Sequence, residues 1–145
     1  MFKILKAEHL AENIILMDVE AKRVAKSCLP GQFIIVRLDE KGERIPLTIA
    51  DYDREKGTVT IVFQPIGAST YQLADMKAGD SILDFVGPLG RPSELITGDL
   101  EEVKKKKILF VAGGVGTAPV YPQVKWLHEH GVDADGIVGA KTKSL

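Results

Sequence analysis

The residues with the clearest potential for chemistry form a glycine-rich turn between a short apolar run and a segment of helical spacing. Residues 108–111 are all apolar and predict a buried strand, and Gly113, Gly114 and Gly116 follow closely. Glycine backbone lets a phosphate come near, and the free N–H groups at the start of a helix attract its charge. Pro119 suits the first helical turn, which tolerates a residue without an N–H. The stretch predicts a phosphate cradle, and a plain tight turn is the alternative.

The residues after this turn predict one βαβ unit. Val120, Val124 and Leu127 recur at a spacing that places them on one face of a helix over residues 115–130, and residues 135–140 predict a second strand. A parallel sheet of two strands cannot cover both of its faces. We therefore expect residues 107–145 to form an incomplete nucleotide-binding unit, and the sequence to be a piece or a truncated product of a longer protein.

Residues 1–96 carry a different pattern, in which short β-branched runs alternate with turn residues. Six strands are predicted, at residues 2–8, 13–20, 32–38, 46–52, 58–64 and 81–86. Strands at this spacing are typical of a small antiparallel barrel or sandwich. Gly57 closes the hairpin between the fourth and fifth strands, and we expect it to have a positive φ.

One short helix interrupts this series of strands. Ser69 or Thr70 is predicted to cap a helix that reaches about Met76. The helix has two possible uses. It could plug the open end of the barrel, or it could form a second anion site in which Gly67 allows close approach and the Ser69 and Thr70 hydroxyls donate to phosphate.

Composition excludes several classes of partner. Nineteen basic and twenty acidic side chains give a formal net charge of -1, so we expect neither a nucleic-acid nor a membrane partner. Cys28 is the only cysteine, which suits a reducing compartment and a cytoplasmic location. We expect no metal site, because the three histidines lack further ligands. Residues 97–106 are polar, end in lysines and predict the linker between the two domains.

Four motifs, taken in order, resemble segments of the ferredoxin-reductase-like flavoproteins. They are Arg44-Ile45-Pro46-Leu47-Thr48-Ile49-Ala50-Asp51, then Val62-Phe63-Gln64 with Gly67-Ala68-Ser69-Thr70, then Gly87-Pro88-Leu89-Gly90, and finally Gly113-Gly114-Val115-Gly116-Thr117-Ala118-Pro119. The resemblance covers essentially all 145 residues. It implies an antiparallel FAD-binding β-barrel over residues 1–96, followed by the start of an α/β nucleotide-binding domain.

Within that family the motifs look most similar to one branch of electron-transfer subunits. The small subunit of NADH-dependent ferredoxin:NADP oxidoreductase, also called a sulfide dehydrogenase subunit, is the closer match, and the electron-transfer subunit of dihydroorotate dehydrogenase is the alternative. The resemblance implies that FAD passes electrons between NAD(H) or NADP(H) and a larger catalytic subunit. An alternative of another class is a barrel without cofactor that serves only as an interaction module.

The resemblance also assigns residues to the flavin. The flavin ring is expected against Pro46, Leu47 and Thr48, with Thr48 as the catalytic contact near the reactive N5 atom. The remaining FAD-binding assignments are Arg44, Val62, Phe63, Gln64, Gly67, Ser69 and Thr70, the last three as donors to the diphosphate.

The pyridine nucleotide is expected at the glycine-rich turn, with a facing wall supplied by the turn that starts at Gly87. The residues assigned to it are Gly87, Pro88, Gly113, Gly114, Gly116, Thr117, Ala118 and Pro119.

Two features depart from the wider family. Its phosphate-binding arginine corresponds in position to Ile45, so Arg44 stands one residue early, and one step along a strand turns a side chain to the other face. Family members also continue to a cysteine cluster that holds a [2Fe-2S] centre, which we expect only in a part of the protein beyond these residues. We expect the 145 residues alone to be a poor NADH oxidase.

Overall fold

The computed structural model describes residues 1–97, 100–105, 108–113, 117–132 and 134–139, which contain nine strands and five helices. The strands are β1 (Phe2–Ala11), β2 (Ile14–Glu20), β3 (Phe33–Arg37), β4 (Ile45–Asp53), β5 (Thr58–Phe63), β6 (Ser81–Ile82), β7 (Asp84–Leu89), β8 (Leu109–Gly113) and β9 (Asp135–Gly139). The helices are α1 (Lys22–Ser27), α2 (Ala68–Ala74), α3 (Glu94–Thr97), α4 (Leu100–Lys104) and α5 (Thr117–Glu129).

The first seven strands form one antiparallel sheet in the order β6-β1-β2-β5-β4-β3-β7. Its two edge strands, β6 and β7, are separated in the chain by Leu83 alone. The edges of the sheet therefore come together, and the result is a nearly closed barrel. The predicted barrel is confirmed. It has seven strands instead of six, because the run predicted at residues 81–86 divides at Leu83.

Alternating side chains of the strands fill the inside of the barrel. Met17 and Val19 of β2 and Val59 and Ile61 of β5 are fully buried, whereas the residues between them are partly exposed. Full burial of one such side chain contributes about 1.5–3 kcal/mol relative to leaving it exposed. Gly57, in the turn between β4 and β5, has the predicted positive φ of 70°.

Helix α1 is absent from the sequence prediction and depends on contacts from elsewhere in the chain. Its Val24 and Ala25 are buried in the barrel core. The Arg54 guanidinium donates to the carbonyl oxygens of Ala25 at 3.2 Å and Cys28 at 2.9 Å, and also to that of Lys26. A helix end leaves such carbonyls without intrahelical partners, so Arg54 acts as a C-terminal cap.

Helix α2 begins earlier than predicted. Its N-cap is Gly67, so the prediction that Ser69 or Thr70 caps the helix is wrong. Thr70 instead lies in the first turn, where its hydroxyl oxygen accepts from the backbone N–H groups of Ile66 at 2.9 Å and Gly67 at 3.0 Å. This is one half of a capping box, in which a side chain inside the helix satisfies the N–H groups that precede it.

The remaining elements form a second, smaller unit. β8 and β9 pair in parallel, with α5 between them in the chain, which confirms the predicted βαβ order. Leu127 of α5 and Val132 are buried in a small core that also includes Leu95 of α3.

Part of the polar stretch predicted as a linker is helical, since α4 lies within it. The domain borders at residues 96 and 106 stay predictions. Among the described residues, no helix combines the length and the apolar character that a bilayer crossing requires.

Candidate functional site

A groove of about 490 Å³ lies on the barrel beside β4, the end of β5, the start of α2 and the first turn of α5. It is lined by Ile45, Pro46, Leu47, Thr48, Val62, Phe63, Gln64, Ile66, Thr70 and Pro119. Seven of these residues are flavin-binding predictions, and Pro119 is a nucleotide-binding prediction. One concave surface therefore brings together residues that are up to 74 positions apart in the chain.

Alternation along β4 decides which of its side chains are buried in the barrel, although all four residues from Ile45 to Thr48 line the groove. Ile45 and Ile49 are buried, at 9% and 0% exposure, whereas Pro46 is exposed. Leu47 is partly buried against the barrel core, and Thr48 pairs with Phe33 of β3. A strand exposes alternate residues on opposite faces. Pro46 and Thr48 therefore share the outer face.

Arg44 is exposed just before β4 begins, and it is not among the groove-lining residues. This placement agrees with its position one residue before the one that the wider family uses for its phosphate-binding arginine. Its assignment to phosphate stays a prediction.

The proposed diphosphate end of the groove lies at the start of α2. Gly67 has an extended backbone, with φ at −137°, that any residue can adopt, and a Cβ atom added there would meet no atom within 4 Å. The space in front of Gly67 is therefore open. The Ser69 hydroxyl donates to the Glu43 carboxylate at 2.9 Å, and the Thr70 hydroxyl donates to the Gly67 carbonyl oxygen at 3.0 Å. Both predicted phosphate donors thus have partners within the chain.

Gly87 and Pro88, the predicted facing wall, lie on β7 and outside the lining of the groove. A Cβ atom at Gly87 would lie 2.6 Å from Cγ2 of Ile34 and 3.2 Å from the carbonyl oxygen of Phe33. Contacts this short are repulsive, so close packing of β7 on β3 is sufficient reason for a glycine here.

The predicted nucleotide segment is described only in part. Gly113 is the last residue of β8, and Thr117 and Ala118 are the first two residues of α5. Gly114 and Gly116 lie outside the described residues. Pro119 stands in the first turn of α5, as predicted, and lines the same groove as Pro46 and Thr48. The start of α5 therefore lies beside the predicted flavin residues.

A second cleft, of about 650 Å³, separates the β4–β5 turn from α5 and was not foreseen from the sequence. It is lined by Asp51, Tyr52, Asp53, Arg54, Glu55, Pro122, Lys125, Trp126, Glu129 and His130. Across it the Lys125 ammonium pairs with the Asp51 carboxylate at 2.9 Å. The hydrogen bond to Asp51 is the largest reason why the pKa of Lys125 is raised above its ordinary value, and burial opposes it.

Neither Cys28 nor the side chains that commonly bind metals form a reactive site in the described part of the chain. Cys28 is fully buried, and burial raises the pKa of its thiol to about 11, although the Arg54 charge acts in the opposite direction. This environment does not favour a reactive thiolate. Within the described part of the chain, no group of three or more His, Cys, Asp or Glu side chains is placed to hold a metal ion.

Comparison with known proteins finds relatives that are named as electron transfer subunits. No family model matches the chain. It is 66% identical, over its full length, to 49% of an uncharacterized protein encoded in the adh 3' region of Clostridium beijerinckii. Over 97% of the chain it is 43% identical to 48% of a Thermotoga maritima protein named as a homologue of the electron transfer subunit of dihydroorotate dehydrogenase B (NAD(+)). The chain spans about half the length of the curated relatives it matches.

Solved structures agree with these relatives. The chain superposes on a subunit of NADH-dependent reduced ferredoxin-NADP oxidoreductase, studied for flavin-based electron bifurcation, with a TM-score of 0.90 and 41% identity. The match covers 99% of this chain and 50% of the other. Phthalate dioxygenase reductase matches at a TM-score of 0.75 and 16% identity, over 99% of this chain and 44% of the other, which supports the fold alone. The chain is thus a homologue of oxidoreductase electron-transfer subunits and carries a ferredoxin-reductase-like barrel.

Proposed function

We propose that the chain binds FAD in the groove beside β4 and is the flavin-binding part of a subunit that passes electrons between NAD(P)H and a larger catalytic subunit. The observation that carries the proposal is the composition of the groove. Residues that the resemblance assigns to flavin on β4, on and just after β5, and on α2 line one cavity, together with Pro119 from the unit assigned to the nucleotide.

The groove suits a flavin in size and in chemistry. Its volume of about 490 Å³ falls within the ~300–1,000 Å³ that is typical of cofactor and ligand pockets. Most of its lining is apolar, and Thr48, Gln64 and Thr70 supply the polar groups. An apolar wall excludes water from a flat aromatic ring, and a few polar groups fix its orientation. When bound, the flavin would supply the hydride chemistry, and the chain's own task is to hold and orient it.

Separate residues serve the two ends of the cofactor. Pro46 and Thr48 offer the outer face of β4 to the ring, with Thr48 as the contact near N5. The open space in front of Gly67 leaves room for the diphosphate, since the backbone there carries no side chain and meets no neighbour. The Ser69 hydroxyl would exchange its bond to Glu43 for one to phosphate.

The start of α5 would bring the pyridine nucleotide to the flavin. Pro119 shares the groove with Pro46 and Thr48, so a nucleotide held at the glycine-rich turn would have a short path to the ring. The [2Fe-2S] centre and most of the nucleotide domain would belong to residues beyond these 145, and the 145 residues alone would be a poor NADH oxidase. We also propose a cytoplasmic location, because the lone cysteine Cys28 suits a reducing compartment.

The ferredoxin:NADP oxidoreductase type is the first choice of assembly, because a solved member matches at 41% identity and a TM-score of 0.90. The dihydroorotate dehydrogenase type is the alternative, because several relatives carry that name. The partner that co-purifies with the protein separates the two. A glutamate-synthase-like large subunit indicates the first, and a dihydroorotate-oxidising subunit indicates the second.

Flavin binding itself is tested with a pair of variants at Gly67. Gly67→Glu places a negative charge in the open space proposed for the diphosphate, and Gly67→Gln adds nearly the same volume without charge. We expect the unaltered protein to take up FAD, the glutamine variant to bind it more weakly, and the glutamate variant to lose it. Thr48→Ala is expected to retain FAD less well. Flavin released on denaturation and the visible absorbance of the purified proteins give the measurement. If the unaltered protein takes up no FAD, the interpretation as a cofactor-free interaction module is favoured.

A further inference from the structure

Helix α5 runs beside β4 and is attached to it at two separate points. The first is the groove, where Pro119 lies beside Pro46 and Thr48. The second is the ion pair between Lys125 and Asp51. Lys125 comes six positions after Pro119, which is roughly 9 Å along the helix axis. Asp51 comes three positions after Thr48, which is at most roughly 10 Å along β4, where the pairing with β5 shifts register between Ile49 and Asp51. The two separations are comparable and α5 contacts β4, so the helix and the strand pack together over this length.

The Asp51 end of the second attachment is held in place by its own strand. The Asp51 Oδ1 atom accepts from the Tyr52 backbone N–H at 2.9 Å as well as from Lys125. The Arg54 guanidinium lies over the Tyr52 ring, 4.8 Å from its centroid, and is itself anchored on the carbonyls of α1. The carboxylate therefore has a fixed direction, and little side-chain entropy is lost when the ammonium binds to it.

The Lys125 end is half-buried on α5. The Lys125 and Asp51 side chains are 38% and 31% exposed, and the ammonium also lies 6.0 Å from the centroid of the Tyr121 ring. Fully exposed ion pairs commonly contribute under about 1 kcal/mol, but partial burial reduces the screening by solvent. The pair joins the barrel to the second unit, since Asp51 belongs to β4 and Lys125 to α5.

We propose that the Asp51–Lys125 ion pair is a latch that holds α5 in register along β4 and so sets where the first turn of α5 meets the groove. Asp51 and Lys125 are positioning residues that act through Pro119, and neither of them lines the groove. This inference rests on the proposed function of the groove. Pro122 lies inside α5 between Pro119 and Lys125 and lacks the N–H group of a regular helical residue, but the helix is continuous from Thr117 to Glu129, so a rotation at Lys125 shifts its start. A displacement of about 1 Å between reacting groups can slow a reaction ~100-fold.

The test uses the full-length, flavin-loaded protein with three matched substitutions. Lys125→Met removes the charge and keeps the length of the side chain, whereas Lys125→Arg keeps the charge. Lys104→Met is the control, because Lys104 pairs only loosely, at 3.7 Å, with Glu101 of the same helix α4 and joins no two units. In each background, nitroxide labels at Lys77→Cys and Glu129→Cys report the distance between the barrel and α5. The native Cys28 is buried and does not compete for the label.

We expect Lys125→Met to broaden the distribution of label distances and to lower the rate of flavin reduction by saturating NADH at least ~10-fold, with the flavin content unchanged. Lys125→Arg and Lys104→Met should leave both measurements near those of the unaltered protein. An unchanged distance distribution in Lys125→Met refutes the latch. A broadened distribution with an unchanged reduction rate refutes the positioning role. If the unaltered protein binds no flavin, the proposed function and the positioning role fail together, while the label distances still decide whether the pair holds α5.

Discussion

Two glycines that the sequence assigns to cofactor binding have opposite environments, and alanine substitution should separate their roles. At Gly87, a Cβ atom would lie 2.6 Å from Cγ2 of Ile34 and 3.2 Å from the Phe33 carbonyl oxygen. Overpacking of this kind costs about 1–3 kcal/mol. The smaller conformational entropy of an unfolded chain with alanine returns about 0.4–1 kcal/mol. We therefore expect Gly87→Ala to lower the free energy of unfolding by about 1–2 kcal/mol.

Gly67→Ala should leave the stability of the flavin-free protein nearly unchanged. A Cβ atom there meets nothing within 4 Å, and the backbone is extended. The entropic gain of about 0.4–1 kcal/mol is offset by alanine being a poorer N-cap than glycine, which costs a similar amount. The net change should lie within about 0.5 kcal/mol. Its effect should appear in the affinity for FAD, because the methyl group enters the space proposed for the diphosphate.

Urea unfolding followed by far-ultraviolet circular dichroism measures both variants. The fluorescence of Trp126, the single tryptophan, would be a poor substitute, because this residue lies on α5 and stacks on His130 at 3.8 Å, away from the barrel core. A loss of 1–2 kcal/mol lowers the urea midpoint by roughly 1 M when the slope is about 1–2 kcal/mol per M. Equal midpoints for the Gly87 variant and the unaltered protein, or an equally large loss for the Gly67 variant, would refute the reasoning.

The remaining predictions concern Arg54 and Cys28. Arg54→Met should lower the free energy of unfolding by about 2 kcal/mol, because it removes the charged donor to three carbonyls at the end of α1. Urea unfolding gives the measurement, and Arg23→Met, an exposed change on α1, is the control. Equal losses of stability in the two variants would contradict the capping role. Cys28 should react with a disulfide reagent at pH 8 at least ~100-fold more slowly than free cysteine, because burial raises the pKa of its thiol to about 11. The reaction should become fast when urea unfolds the protein. Fast labelling of the folded protein would contradict the burial of this thiol. Since the folded state favours the neutral thiol, the contribution of Cys28 to stability should be complete below pH 9.0 and should decline as the pH rises toward 11, which urea unfolding across that range measures.

The strands of the barrel were predictable because their signals are local. Alternating apolar residues and turn glycines such as Gly57 identify β2 to β5 within a few residues of their observed bounds. Helix α1 was not predictable in this way. It is six residues long, has no side-chain cap at its start, and depends on Arg54, which is 26 to 29 positions away from the carbonyls it binds. The cap of α2 was misassigned for a related reason, since Thr70 acts from inside the helix.

In the candidate site too, the parts with local sequence signals were predictable, and the contacts that depend on tertiary packing were not. The segments of β4 and β5 that line the groove were identified from their motifs, but their meeting with Pro119 depends on how α5 packs on β4. Ile66, 82% exposed at the rim of the groove, carries no motif and was missed. An apolar side chain of that exposure beside a predicted cofactor residue such as Gly67 is the signal that could have found it. The pairing of Asp51 with Lys125 joins positions 74 apart and has no local signature.

The closure of the sheet has a consequence for how the protein folds during synthesis. Phe2 pairs with Ile82, and Lys3 with Ser81. β1 therefore cannot pair with β6 until some eighty residues of the chain have left the ribosome. Pairing across such a sequence separation is slow, because the entropy of a long loop is lost before the contacts form. Once β7 has emerged, however, none of the later residues that the structure describes takes part in the sheet. The barrel can therefore be complete before β8 is translated, and the second unit can assemble on a finished surface.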